Sequence, residues 1–136
     1  MNVISNAEFV EQLYGVWPSF HDAEVLNFSI SFVKKDAAYT SDANFIIYYS
    51  GQDLIPSSRK YPICLIEFEC IDVRPIKLDV SRVSGGCWID EMRVTKATNG
   101  GVLVDLQPLA GVDLKFECAK ISVVDIRPRS EIAEKR

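Results

Sequence analysis

From residue 25 the chain alternates with a period of two: Leu26, Phe28, Ile30 and Phe32 fall on one side, and Asn27, Ser29 and Ser31 on the other. An extended backbone turns successive side chains to opposite faces, so this pattern predicts a strand with one wet face, as antiparallel sheets have. Residues 44–49 are a second run of strand formers. Residues 62–73 predict a long strand with Cys64, Ile66, Phe68 and Cys70 inward. Ile76, Leu78 and Val80 alternate with Lys77, Asp79 and Ser81 over residues 76–83, and Trp88, Met92 and Val94 share a face over residues 87–95. Residues 102–106 and 114–126 complete the set, the last long enough to bend.

Breakers mark the joints. Lys34-Lys35-Asp36 predicts a turn, and Thr98-Asn99-Gly100-Gly101 a tight hairpin, because Asn-Gly supplies positive φ values. Ser84-Gly85-Gly86 turns the chain ahead of Cys87, and residues 50–60 form its most polar, breaker-rich loop. Pro75 and Pro128 close their strands, since proline cannot continue a ladder. One echo, Phe68-Glu69-Cys70 and Phe116-Glu117-Cys118, each running on to an Arg-Pro pair, lacks a fixed period and reads as two strands ending alike.

A single helical pattern precedes the strands, over residues 5–14. Phe9 and Leu13, four apart, share the face that would pin it to a sheet. Ser5 and Glu8 have the spacing of a capping box, and Gly15 offers the left-handed stop. Pro18 pushes Trp17 towards extended geometry. The expected fold is α+β, mostly β: an antiparallel curled sheet, or two packed sheets, of about seven to eight strands with one short N-terminal helix. No linker divides it, so residues 1–136 read as one domain: helix about 5–14, corner 15–25, strands about 25–126 and a charged tail, 127–136, that frays.

Composition narrows the function classes. At 48% hydrophobic and 25% charged residues the chain matches globular averages, which excludes a disordered class. No apolar run approaches the roughly 18 residues of a membrane span, and the first residues lack a signal peptide's basic and apolar regions. The expectation is a cytoplasmic protein. The net charge of −4 with dispersed Lys and Arg disfavours nucleic acid and suits steering towards a basic protein partner. Cys64, Cys70, Cys87 and Cys118 form no C-x-x-C pair and read as structural thiols in a reduced interior, so no metal or cofactor is expected.

Candidate chemistry concentrates in Trp17-Pro18-Ser19-Phe20-His21-Asp22-Ala23-Glu24-Val25, which holds the only histidine. His21 beside Asp22 and Glu24 has the makings of a general base or a cation site. Adjacent residues on an extended chain point apart, however, so His21 and Asp22 converge only if the backbone turns between them. No nucleophile elbow, phosphate loop or H-E-x-x-H accompanies them, and Cys87 after Gly85-Gly86 reads as a buried thiol behind a hairpin turn. No catalytic, cofactor-binding or metal-binding residue is therefore assigned. Two readings of the corner stand: a bracket in which Asp22 accepts backbone N–H groups, His21 meets a carbonyl and Trp17 with Phe20 plugs the sheet, or an exposed recognition patch. Tyr39, Tyr48, Tyr49, Tyr61 and Trp88 are candidate interface aromatics.

The segment Gly15-Val16-Trp17-Pro18-Ser19-Phe20-His21-Asp22-Ala23-Glu24-Val25, followed by an alternating strand, resembles the immunity protein 50 family of bacterial polymorphic toxin systems. The likeness extends to size, the short helix before a Trp-x-x-Phe-His-Asp-Ala-Glu signature, and the mostly β remainder. It implies a non-enzymatic cytoplasmic antidote that binds a cognate toxin protein; the charge and hydropathy above leave no role for nucleic acid or membrane, and monomer or homodimer both stay open. Trp17, Phe20, His21, Asp22 and Glu24 are then the signature and candidate interface residues. The rival classes are a small hydrolase or metal-dependent enzyme centred on His21, Asp22 and Glu24, and a structural or ligand-binding β domain.

Overall fold

The structure, a computed structural model, describes residues 1–79 and 85–128. Among the described residues, nine strands lie in one open sheet beside a single helix, α1 (Ala7–Tyr14). They are β1 (Ile4–Ser5), β2 (Glu24–Lys35), β3 (Ala38–Tyr49), β4 (Cys64–Ile71), β5 (Arg74–Asp79), β6 (Trp88–Lys96), β7 (Val102–Ala110), β8 (Asp113–Cys118) and β9 (Lys120–Pro128). Their spatial order is β1-β9-β4-β3-β2-β6-β7-β8-β5. Only the β1–β9 pair is parallel, so the sheet is mixed rather than wholly antiparallel.

The sheet curls so that its two halves share one core. Phe28 of β2 lies 6.1 Å from the Phe116 ring of β8, and Phe45 and Phe68 stack at 4.8 Å. Two bends carry the chain between the halves. The expected last strand, 114–126, is broken at Ala119: β8 pairs with β5 and β7, whereas β9 pairs with β4 and β1. Ala119 N–H donates to the Ile71 carbonyl at 2.8 Å, beside the matching β4-to-β5 bend. The repeated Phe-Glu-Cys triplets end β4 and β8 at this shared corner, where the buried Cys70 and Cys118 thiols hydrogen bond. All four cysteines are free thiols; Cys64, Cys70 and Cys118 are buried, whereas Cys87, expected inside, is only half-buried.

The helix differs from expectation at its start. Ser5 belongs to β1, paired with Ser122, so it cannot cap α1. Asn6 stands at the N-cap with φ 66 and no side-chain cap; its amide instead donates to the Val123 carbonyl at 3.1 Å. That tether turns Ala7, Val10 and Tyr14 to the core and leaves Phe9 half exposed. Gly15 closes the helix at φ 81, as its lack of a Cβ permits. Tyr14 anchors the far end by donating to the Pro62 carbonyl at 3.0 Å, and burial raises its phenol pKa.

Bulges account for most other departures. The β2–β3 register skips Leu26, the β6–β7 register skips Asp90 and Leu109, the β5–β8 register skips Ile76, and the β4–β9 register skips Val124. A bulged residue has no direct partner and shifts the alternation by one. Leu26, Ile76, Leu109 and Val124 are accordingly exposed, and Ile89 rather than Trp88 joins Met92 and Val94 inside. Pro75 does not end a strand but sits within β5, an edge strand with no further ladder to feed. The 98–101 hairpin has positive φ only at Gly100, so it is a turn closed by one left-handed glycine rather than a two-residue Asn-Gly turn. The expected strand residues 80–83, Ser84 and the tail beyond residue 128 lie outside the described residues.

Candidate functional site

The nine-residue corner between α1 and β2 joins the two halves of the sheet. Glu24–Trp88 is the one residue pair between β2 and β6. Around it the corner backbone zips onto β6: Met92 N–H donates to Ser19 O (2.8 Å), Asp22 N–H to Ile89 O (2.9 Å), Ile89 N–H to Ala23 O (2.8 Å) and Val25 N–H to Cys87 O (2.8 Å). Each such bond contributes about 0.5 to 1.5 kcal/mol net, and more is lost if a buried partner is orphaned.

A turn inside the corner sorts its side chains. Ala23 N–H donates to the Phe20 carbonyl at 3.0 Å, and Phe20 and Asp22 both lie in the left-handed region, at φ 62 and 65. Such a φ is tolerable for Asp and strained for an aromatic. Packing holds Phe20 there: its ring is fully buried, 4.9 Å from Tyr49, 5.3 Å from Trp17 and 6.1 Å from Phe68 in edge-on contacts. Trp17, half-buried, closes the same cluster.

The polar signature residues point the other way. His21 Nδ1 lies 2.9 Å from the Asp90 carbonyl and 3.2 Å from its carboxylate, and Nε2 lies 3.6 Å from Asp22 Oδ2. The turn thus brings the adjacent His21 and Asp22 together, as an extended chain would not. Gln52 Nε2 donates to Asp22 at 3.2 Å, and Tyr49 donates to Asp53 Oδ1 at 2.6 Å, so the 50–60 loop meets the corner. The His21 side chain is 41% exposed, Asp22 40% and Asp90 52%. The Asp90 carbonyl raises the His21 pKa above 6.5; the Asp22, Asp90 and Asp53 carboxylates add to the rise and desolvation opposes it. Glu24, half-buried, sets its carboxylate near Gly86 and the Trp88 indole, and no hydrogen bond or ion pair among the described residues joins it to His21, Asp22 or Asp90.

The bracket forms in part: Trp17 with Phe20 plugs the sheet and His21 meets a carbonyl, whereas the Asp22 carboxylate accepts from the Gln52 side chain and, among the described residues, not from backbone N–H groups. Trp17 and Phe20 are packing residues, while His21, Asp22 and Glu24 border solvent. Periodicity missed Asp90, because it is the bulge residue that the extra position turns towards His21. Of the five candidate aromatics, Tyr39 and Trp88 are exposed, Tyr48 and Tyr61 half-buried, and Tyr49 belongs to the core. Chemically the patch can hold and exchange one proton and offer carboxylate oxygens to cationic groups. Among the described residues, no cluster of three His, Cys, Asp or Glu side chains could hold a metal ion. Two open grooves of about 340 and 360 Å³ flank Phe9, lined by α1 and β9, and no signature residue lines either.

The fold and this corner define a mostly β protein with one N-terminal helix, in which an aromatic-plugged turn holds a histidine–carboxylate patch at the surface. The chain belongs to the family described as Immunity protein 50, whose model matches residues 6–129. No curated protein and no solved structure matches it.

Proposed function

We propose that this chain, as a single domain, is an immunity protein that binds and neutralises the toxin domain of a cognate polymorphic toxin in the bacterial cytoplasm. The family match over residues 6–129 carries this reading. On it the protein acts by covering another protein and not by catalysis. The patch around His21, Asp22, Glu24 and Asp90 forms part of the interface, while Trp17 and Phe20 hold that patch in place from beneath.

Electrostatics supports the assignment of the face. A net charge of −4 and exposed carboxylates draw a basic protein surface and raise its association rate at low salt. The half-exposed Trp88, beside the patch, offers the kind of aromatic anchor that interfaces favour. The corner's zipped backbone also means that little conformational freedom is lost on binding.

Growth rescue tests the reading. Expression of the toxin encoded beside this gene should arrest a bacterial host, and co-expression of this chain should restore growth. Continued arrest despite soluble, folded chain would refute it.

A further inference from the structure

The two bends that carry the chain between the halves of the sheet face each other, and each sets a cysteine on its inner side. Ile71 pairs with Lys120 on the β4–β9 ladder and Arg74 with Glu117 on the β5–β8 ladder, so the bend from β4 to β5 lies against the bend from β8 to β9. Ala119 N–H donates to the Ile71 carbonyl and Val73 N–H to the Ser41 carbonyl at 2.6 Å, which pins the bends, and Asp72 turns the chain at φ 57. Side chains on the inside of a bend converge. Cys70 and Cys118, both fully buried, meet there thiol to thiol.

The contact is polarised. Cys118 Sγ accepts from the Cys70 thiol and from Lys120 N–H, and these donors hold its pKa below the ordinary thiol value, although burial and Asp72 oppose them. The thiolate, the form that attacks, is thus favoured on Cys118. The other two cysteines cannot reach this pair. Cys64 stands at the opposite end of β4 from Cys70, about 20 Å away along an extended strand, and hydrogen bonds with Tyr14. Cys87 lies against Gly111, beyond the opposite end of β8 from Cys118. A disulfide needs Cα atoms within about 7 Å of each other, a distance that both exceed.

We propose that Cys70 and Cys118 are a latent disulfide pair, which hydrogen peroxide closes into a covalent staple across the facing bends. The Cys118 thiolate attacks one peroxide oxygen and becomes the sulfenic acid; hydroxide leaves and takes up the thiol proton as water. Cys70 sulfur then attacks the sulfenic sulfur, and its proton leaves with the hydroxyl as a second water. Two thiols lose two electrons in all, and one peroxide is reduced to two waters. Neither sulfur is open to solvent, so the oxidant enters when the bend opens at Ala119 and Lys120, both exposed. The pair stands apart from the His21 patch and does not rest on the toxin-binding reading.

Peroxide treatment of the folded full-length chain at low micromolar concentration, followed by blocking of free thiols in denaturant and peptide mapping without reductant, tests this. The expected map links Cys70 to Cys118 in most of the monomer and leaves Cys64 free. Treatment in denaturant should instead favour the shorter Cys64–Cys70 loop. The linked wild type should melt several degrees above its reduced form, because the link constrains the unfolded chain, and Cys118→Ala treated alike should show no such rise. A folded wild type whose Cys70 and Cys118 stay unlinked, as thiols or as separate sulfinic acids, a native link to Cys64 or Cys87, or a Cys70–Cys118 link without the rise in Tm, would each overturn the proposal.

Discussion

Glu24 pairs with Trp88, and this one pair carries the sheet from β2 to β6. Among the described residues, the backbone bonds that reinforce the junction come from the corner just before Glu24 or from Val25 just after it. The signature is therefore a structural joint as well as a surface, and its residues should separate by substitution.

Phe20→Ala should lower the unfolding free energy by about 3 to 5 kcal/mol, the range for emptying an aromatic site in a core. His21→Ala, on an exposed side chain, should cost less than about 1 kcal/mol. Denaturant titration of both variants checks the contrast. Similar losses in the two would mean that the patch, too, holds the fold.

Asp22 sits at φ 65. Glycine adopts that conformation without strain, whereas a β-branched residue meets the full steric penalty. Asp22→Gly should thus stay within about 0.5 kcal/mol of the wild type, and Asp22→Val should fall below it by about 1 to 2 kcal/mol. Thermal denaturation of the pair separates backbone strain from loss of the carboxylate, which both variants share.

The raised His21 pKa fixes a direction of pH dependence. The folded state holds the imidazolium proton more tightly than the unfolded chain, so the stabilisation is fully present below pH 6.5 and is lost as pH rises through the higher folded value. As the sole histidine, it gives one unambiguous imidazole resonance to titrate by NMR. A midpoint above 6.5 is expected in the wild type, moving down when Asp90→Ala removes one of the nearby carboxylates. A midpoint at or below 6.5 in the wild type would contradict the geometry.

Much of this fold is legible in the sequence because alternation is a local signal. Cys64, Ile66, Phe68 and Cys70 point inward as the pattern requires, and Gly15 ends the helix where its freedom at positive φ is needed. The pattern fails where one strand gains a residue on its neighbour. Leu26 and Ile76 read as apolar positions of alternating strands, and only the partner's register reveals them, with Leu109 and Val124, as bulges. The break at Ala119 and the two-residue β1 are likewise set by distant partners, Ile71 and Ile121.

The corner was half legible for the same reason. Trp17, Phe20, His21, Asp22 and Glu24 are contiguous and stand out by composition. Asp90 lies 69 residues from His21 and Gln52 lies 30 from Asp22, so nothing in the linear pattern links them. The left-handed Phe20, which sends its ring inward and its successor outward, is likewise fixed by packing against Tyr49 and Phe68 rather than by its own preference.

Calorimetric titration of the purified cognate toxin into this chain, with the wild type beside Asp22→Lys and Asp90→Lys, tests the central claim most directly. The account predicts a saturable one-to-one complex in the wild type, weakened roughly tenfold or more by either charge reversal in variants that remain folded, and weakened further as salt is raised. Tight binding that neither reversal disturbs would place the interface elsewhere, and no binding at all would contradict the account.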